Sequence, residues 1–535
     1  MKVLFINPPF TGFGGMEGHG GRQAPLNLAY LASYLRVVQP HHEISIFDGE
    51  AYGADFQEVN ELIKQFKPQL VALTMPTPAY LHVLEIAKMV KEYSKGCWVV
   101  VGGPHPSAFA SETTREENID FSISGEGEMS FSFLIKTLET GGSLESIGGL
   151  AHKLNGKIHY NTNKTLIDNL DDIPFPARDL LPMDRYVITG PKRVSDRLGG
   201  NMITSRGCPY DCTYCDSKVM WTRAARLRSV GNIVDEIQEC KDTYGIGEIN
   251  FHDDIFPMSK NHTIEVCKEI QRRKIDIRWV CMNRVNFCYP EVMEEMYKAG
   301  CRKIMFGFES GSNEILKLIK KKATIEQAQE AVKICRSSGI KVMGSFMIGN
   351  IGEDEHSIRQ TIDFSKSLDL DTASFFVSIP FPGTELFTQA SEKGYLKDKI
   401  KWSDFCVLGT DDPPMVLPNI TPQRVLELQA QALKEFYLRP KYILKKFFGI
   451  RSIGEIWHLV KSSGILKKII RNVHESGNSD EEKINIEEKH KEFLDNLSVD
   501  PVIKVNDLIA DKNIYTSRKK VKSNLAEEQK DMVSI

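Results

Sequence analysis

The stretch Ser205-Arg206-Gly207-Cys208-Pro209-Tyr210-Asp211-Cys212-Thr213-Tyr214-Cys215 places three cysteines within eight residues at C-x3-C-x2-C spacing. A cubane iron-sulfur cluster ordinarily takes four thiolates. Three on one tight loop hold three irons and leave the fourth open, a place where a substrate or cofactor chelates, just as a catalytic zinc keeps one position free. The competing chemistry is a zinc ion completed by a distant residue such as His252 or His105. No fourth Cys or His stands at finger-like spacing, which disfavours zinc.

The remaining eight cysteines (Cys97, Cys240, Cys267, Cys281, Cys288, Cys301, Cys335, Cys406) lie apart in apolar stretches, where Cys serves as a small core residue. An odd total of 11 scattered through a long chain does not read as a disulfide framework. The start, MKVLFINPPF, lacks the h-region and cleavage site of a secretory signal, and no run of 18 or more apolar residues occurs. A cytoplasmic protein is expected. Lys+Arg 68 against Asp+Glu 71 leaves no basic excess, so nucleic acid is not expected as a partner.

At 535 residues the chain needs two or three cores. Residues 1–145 alternate strand-like runs (2–9, 43–50, 70–76, 98–104, 120–128) with amphipathic stretches (25–38, 80–93), which predicts an α/β doubly wound parallel sheet with its binding edge at the strand carboxyl ends. Residues 146–200 predict a hairpin around Asn155-Gly156 followed by an extended, Pro-rich surface linker. From 201 to 410, strands starting near 201, 248, 277, 303, 341 and 372 alternate with helices, the pattern of a partial (β/α)6 TIM-like barrel whose first strand precedes the cysteine loop. A basic helical region, 411–474, is expected to pack on the barrel, with a face near Phe447 and Trp457 as a peripheral membrane alternative. The charged, aromatic-poor stretch 475–535 predicts a disordered tail.

The cysteine spacing, with Tyr214 just before the last Cys, resembles the signature of radical S-adenosylmethionine (SAM) enzymes. The resemblance implies a [4Fe-4S] cluster held by Cys208, Cys212 and Cys215, with SAM on the open iron. FHDDIF (251–256) is similar to the family's second-strand motif that receives the SAM amino group, which makes Asp253 and Asp254 candidates, although carboxylates also serve as strand-end caps. GFESG (307–311) is similar to the fourth-strand segment that meets SAM, through Glu309 and Ser310. MIGNIGED (347–354) resembles the Gly-rich turn beside adenine, through Gly349, and SIPFPGTEL (378–386) the turn after the sixth strand.

The first domain has no G-x-G-x-x-G after its first strand. It resembles instead the cobalamin (B12)-binding domain that precedes the barrel in one class of radical SAM enzymes, through INPPF (6–10), LTMPTP (73–78), GGPHPS (102–107) and GEGE (125–128). That resemblance implies cobalamin contacts from Asn7, Thr74, Gly102, Gly103, His105, Gly125 and Glu126. The D-x-H-x-x-G of histidine-ligated cobalt is missing after the first strand, and His19 stands in that loop without the right neighbours, so no protein lower ligand is expected.

Together the motifs span about residues 1–410 and imply reductive SAM cleavage, a 5'-deoxyadenosyl radical, and methyl transfer from cobalamin to an unactivated carbon of a small molecule. They imply an electron donor such as flavodoxin or ferredoxin. The wording of the motifs through FYLRP (436–440) is also close to the anaerobic magnesium-protoporphyrin monomethyl ester cyclases, which gives an oxidative cyclase as the alternative. A non-catalytic cobalamin or cluster sensor is the reading from a different class.

Overall fold

The computed structural model describes residues 1–9, 22–188, 192–405, 412–449 and 503–504. Its apolar runs become strands buried from both sides, as a parallel sheet between two helix layers requires. These are β1 (Lys2–Asn7), β2 (Glu43–Asp48), β3 (Leu70–Thr74), β4 (Trp98–Gly102) and β5 (Phe121–Ile123), ordered β2-β1-β3-β4-β5 and all parallel. Val3, Phe5, Ala72 and Val100 pack against helices Leu26–Val38 and Glu128–Thr140. Leu4, Ile6, Val71 and Val99 pack on the other side against Phe56–Phe66 and Tyr80–Tyr93. The strand order reverses between β1 and β3, which puts a ligand crevice at the ends of those two strands.

The expected hairpin forms as β6 (Leu150–Leu154) and β7 (Lys157–Tyr160), turning through Asn155 and Gly156, both at positive φ. It pairs antiparallel with β5 and so extends the first sheet to Tyr160, past residue 145. The following stretch corrects the expected surface linker. Leu170, Ile173, Ala177, Leu181 and Tyr186 are buried in the core of the first sheet, and the Arg178 guanidinium, 1% exposed, meets Glu236 of helix Val230–Tyr244 at 2.6 Å. Prolines prevent a regular helix here, but they do not keep the chain at the surface.

The barrel comprises β8 (Gly199–Met202), a small antiparallel pair β9 (Ser205–Arg206) and β10 (Arg226–Leu227), then β11 (Glu248–Phe251), β12 (Arg278–Asn283), β13 (Cys301–Glu309), β14 (Lys341–Ile348) and β15 (Thr372–Val377). Six of them form one parallel sheet in the order β15-β14-β13-β12-β11-β8, with β8 and β15 as its free edges, so the barrel is open. Ile249, Phe251, Trp279, Ile304, Val342 and Phe375 face the helical shell, and the residues between them face the lumen. The helix opening at Thr324 forms as Ile325–Ser337 with a capping box to Gln327.

Helix Pro422–Tyr437 packs on the barrel, as expected of the basic region: Gln429 Nε2 donates to the Phe375 carbonyl at 2.8 Å, and Tyr437 Oη donates to that of Ala373 at 2.7 Å. Trp457 and the Phe447 side chain lie outside what is described, as does His19. So does the tail apart from Ile503–Lys504, which pairs with Lys399–Ile400. Among the described residues no helix is long and apolar enough to cross a membrane.

Candidate cluster and cofactor site

The cysteine loop leaves β9 through Gly207, whose φ of +88° and the nearby Ala224 carbonyl leave no room for a Cβ. Cys212 is 6% exposed, and Arg284 Nη1 donates to its sulfur at 3.4 Å. The Arg284 guanidinium lies 3.7 Å over the Tyr210 ring and bonds the Lys321 carbonyl, so it is fixed in place. Burial raises the thiols on either side, Cys208 above its ordinary value and Cys215 up to about 12, so bound metal must displace their protons.

Ligands of one zinc, each about 2.3 Å from the metal, stand within about 4 Å of one another. Among the described residues, the only set of three or more His, Cys, Asp or Glu whose ligand atoms lie within 4.8 Å of one another is His41, His42 and Glu139, far away on the first domain. The three loop thiols therefore do not close on a single ion. His105 cannot complete a zinc site, since it is 1% exposed and enclosed by the rings of Tyr80, Phe109 and Trp402.

Glu309 ends β13 at φ +66°, just past a register shift in the pairing with β14. A non-glycine residue held in this region costs of order 1–3 kcal/mol and persists where its surroundings enforce it. Here Lys321 Nζ donates to its Oε1 at 2.6 Å and Tyr214 Oη to the same oxygen at 2.8 Å. Tyr214 belongs to the cysteine loop, so the carboxylate is tied directly to the cluster site. Lys321 and Arg284 were not singled out in the sequence; Arg284 follows β12 and Lys321 joins helices Asn313–Leu318 and Ile325–Ser337, and only the fold shows what each faces.

The two aspartates divide. Asp253 is 1% exposed, and its Oδ1 accepts from Thr204 N at 3.0 Å, Thr204 Oγ1 at 2.8 Å and Ser205 Oγ at 2.5 Å. It pins β11 to the start of the cysteine loop, and burial pushes its carboxyl up to about 6. Asp254 accepts from Ser217 Oγ at 2.6 Å and remains exposed, although protein surrounds it closely enough to raise its carboxyl. Ser310 is fully buried, with Oγ shared between Thr361 Oγ1 at 3.1 Å and Ser312 N at 3.1 Å. Gly349, at φ +86°, hands its N–H to Glu353 at 2.7 Å and abuts Val425 of helix Pro422–Tyr437.

A hollow opens inside the strands. Met282, on the lumen side of β12, is 45% exposed, and His252 and Asp254 beyond β11 are exposed as well, yet protein encloses both. The first domain reaches the same lumen: Asn201 Nδ2 donates to the Ala24 carbonyl at 2.8 Å, and Asn250 Nδ2 lies 3.5 Å from Gln23 Oε1. Gln23 and Ala24 leave the loop that follows β1, so the ligand edge of the first sheet fronts the barrel mouth.

At that edge Asn7 Nδ2 donates to Asp48 Oδ1 at 2.8 Å, and Thr74 Oγ1 accepts from Asn27 at 2.8 Å. Gly103 takes φ +114° beside Met75 and Thr74, and Gly102 and Gly103 leave bare backbone partly exposed. Three other cobalamin candidates sit in contacts between the two domains. His105 lies in the aromatic cluster with Trp402, Gly125 abuts Lys164 and Met220, and Glu126, 3% exposed, pairs with Arg226 and Arg206. Glu128 adds a bond from Arg206 Nη2 at 2.5 Å. GEGE thus clamps the two arginines that flank the cysteine loop.

The family of the Radical SAM superfamily matches residues 202–365, and that of the B12 binding domain matches residues 19–134. An uncharacterized methyltransferase of Pyrococcus horikoshii is 37% identical over 450 residues, 84% of this chain and 95% of that protein. This chain belongs to the B12-binding radical SAM enzymes. An anaerobic magnesium-protoporphyrin IX monomethyl ester cyclase of Rubrivivax gelatinosus is 27% identical over 84% of this chain and 79% of its own. The fold is that of the cobalamin-dependent SAM radical enzyme OxsB, solved with aqua-cobalamin and SAM, at TM-score 0.68 and 17% identity over 100% of this chain and 81% of that one. As a B12-binding radical SAM enzyme the chain takes a [4Fe-4S] cluster, SAM and cobalamin as cofactors. The donor set agrees with them: three thiols on one loop that do not form a single-ion set, a carboxylate bonded to that loop through Tyr214, and a partly exposed glycine turn at the edge of the first sheet.

Proposed function

We propose that this B12-binding radical SAM enzyme is a C-methyltransferase acting on a small molecule held between its two domains. Cys208, Cys212 and Cys215 are assigned to the cluster, Glu309 and Asp254 to the polar groups of SAM with Gly349 near its adenine, and Asn7, Thr74, Gly102 and Gly103 to cobalamin. When bound, these cofactors supply a 5'-deoxyadenosyl radical to open a C–H bond and a methyl group to fill it. The protein's residues position and shield. Arg284 holds positive charge against Cys212, Lys321 and Tyr214 fix the Glu309 carboxylate, and the Glu126/Glu128 clamp on Arg206 and Arg226 holds the first domain against the cysteine loop.

The observation that carries this reading is the meeting of Gln23 and Ala24, which lead into helix Leu26–Val38, with the lumen residues Asn250 and Asn201, which supports two cofactor edges facing one hollow. The Pyrococcus horikoshii relative, named a methyltransferase, supports methylation. The Rubrivivax gelatinosus relative supports oxidative ring closure as a second reading. Cluster reduction requires a one-electron donor, for which a flavodoxin or ferredoxin is proposed.

The test is anaerobic reconstitution with iron, sulfide, cobalamin and reductant, using SAM labelled in its methyl group and mass spectrometry of the product. Label in the product is the expected result. An unlabelled, oxidised product would favour the cyclase, and absence of 5'-deoxyadenosine would overturn the enzyme reading.

A further inference from the structure

The end of the first sheet opposite its ligand crevice gathers three metal-binding side chains that take no part in the cofactor assignments. We propose that His41, His42 and Glu139 form a site for a divalent transition-metal ion, separate from the cluster and from both cofactor edges. His41 and His42 lie in the turn just before β2, and Glu139 lies in the last turn of helix Glu128–Thr140. Their ligand atoms all stand within 4.8 Å of one another.

A neighbour sets His42 as a ligand. Gln39 Nε2 donates to the Ser132 carbonyl and to Ser132 Oγ, both at 2.9 Å, which leaves Gln39 Oε1 to accept from His42 Nε2 at 3.1 Å. Nε2 therefore carries the ring's proton, and Nδ1 keeps its lone pair. Metal-binding histidines are oriented in this way, the second ring nitrogen donating to a fixed acceptor. The His42 side chain is fully buried, and its Nδ1 stands 3.6 Å from Glu139 Oε1.

Two acceptors this close need a cation between them. The Met1 ammonium serves both, 3.0 Å from His42 Nδ1 and 3.2 Å from Glu139 Oε1. A metal ion in that place gains a further donor, His41, whose Nε2 is 3.0 Å from Glu139 Oε2. Tetrahedral zinc, about 2.0–2.2 Å from nitrogen and oxygen ligands, holds them about 3.4 Å apart. The separations of 3.0 and 3.6 Å lie on either side of that value. Water, or the amine once its proton is lost, takes the fourth position.

The charge setting and the access agree. Helix Glu128–Thr140 has no basic residue in its last turn, so its negative end and the Glu139 carboxylate both draw a cation. The His41 side chain is 61% exposed, which lets an ion enter from solvent and close on the buried His42. Imidazole donors suit zinc, copper and nickel, whereas magnesium and calcium take oxygen ligands.

The probe is zinc chloride, titrated by calorimetry into tag-free protein that carries cluster and cobalamin, so that the cysteine loop is already filled. Saturable binding of a single ion is expected. His41→Ala and Glu139→Gln should each weaken it by tenfold or more, and magnesium should not compete. X-ray absorption at the zinc edge should show nitrogen and oxygen neighbours alone. No saturable binding by the parent, equal binding by His41→Ala, equal competition by magnesium, or sulfur in the zinc's shell would overturn the site. Should Glu139→Gln lose cobalamin or cluster absorbance, the exposed His41→Ala reads the site by itself. Zinc binding that depends on His41 stands whether or not the protein makes 5'-deoxyadenosine, because the site lies at the opposite end of the sheet from the cofactors.

Discussion

The two parallel sheets carry their motifs at the same address, the carboxyl ends of strands, and use them differently. Around the barrel mouth, the cysteine loop, Glu309 and Asp254 gather on one hollow. On the first sheet, Asn7, Thr74 and the Gly102-Gly103 turn stay at the crevice edge, while His105, Gly125 and Glu126 turn toward the barrel and are buried in the domain contact. A motif residue at a strand end is thus left open or committed to a protein partner according to what satisfies it. Glu126 is matched by Arg226, whereas Asp254 has one hydroxyl and an open side.

The sharpest way to break this contrast is at the cysteines. Cys212→Ala should abolish the cluster's visible absorbance and SAM cleavage together while cobalamin binding persists, checked on the same reconstituted sample. A variant that keeps the absorbance would remove the ligand assignment. On the docking side, Glu128→Ala leaves Arg206, 6% exposed, without its 2.5 Å partner. Breaking a buried pair by removing one member costs about 3–5 kcal/mol. The expected outcome is a large loss of thermal stability, followed by calorimetry, in protein with and without cobalamin. A loss of cobalamin binding with unchanged stability would return GEGE to the cofactor.

Between these lies Glu309→Gln, which keeps the shape and removes the charge opposite Lys321. Cluster absorbance should survive, while 5'-deoxyadenosine formation falls by roughly 10²-fold, the scale at which misplaced reacting groups lower rates. An unchanged rate would make Glu309 a structural strut.

Much of this division was legible before any coordinates, and the limits have physical reasons. The six barrel strands, the hairpin at Asn155-Gly156 and the helix opening at Thr324 follow from periodicity and turn chemistry, which act within a few residues. The cysteine loop is legible because its three ligands lie on one continuous stretch. What His105 and Glu126 do depends on Trp402 and Arg226, distant in sequence. The Pro-rich segment misled because proline forbids helix without forbidding burial, and Arg178 shows it is held by an ion pair.

The finest test of ligand contact against support is Asp253, whose neighbour Asp254 opens on the hollow while Asp253 itself holds Thr204 and Ser205. Its carboxyl is raised to about 6 from an ordinary 3.8, first by burial. The folded protein therefore keeps a proton that the unfolded chain has released between those values, and stability falls as pH rises from about 4 to about 6, then levels. Asp253→Asn preserves a carbonyl oxygen for the three donors and removes the charge. The variant should lose that slope and be more stable than the parent at pH 7 by about 2 kcal/mol, once the weaker bonds of a neutral acceptor are set against the relieved burial. Denaturant melts of the reconstituted protein at pH 5, 6 and 7 measure both. If Asp253→Asn instead keeps the parent's pH dependence and loses SAM binding, Asp253 belongs with the ligand contacts, and the barrel edge uses both aspartates on SAM.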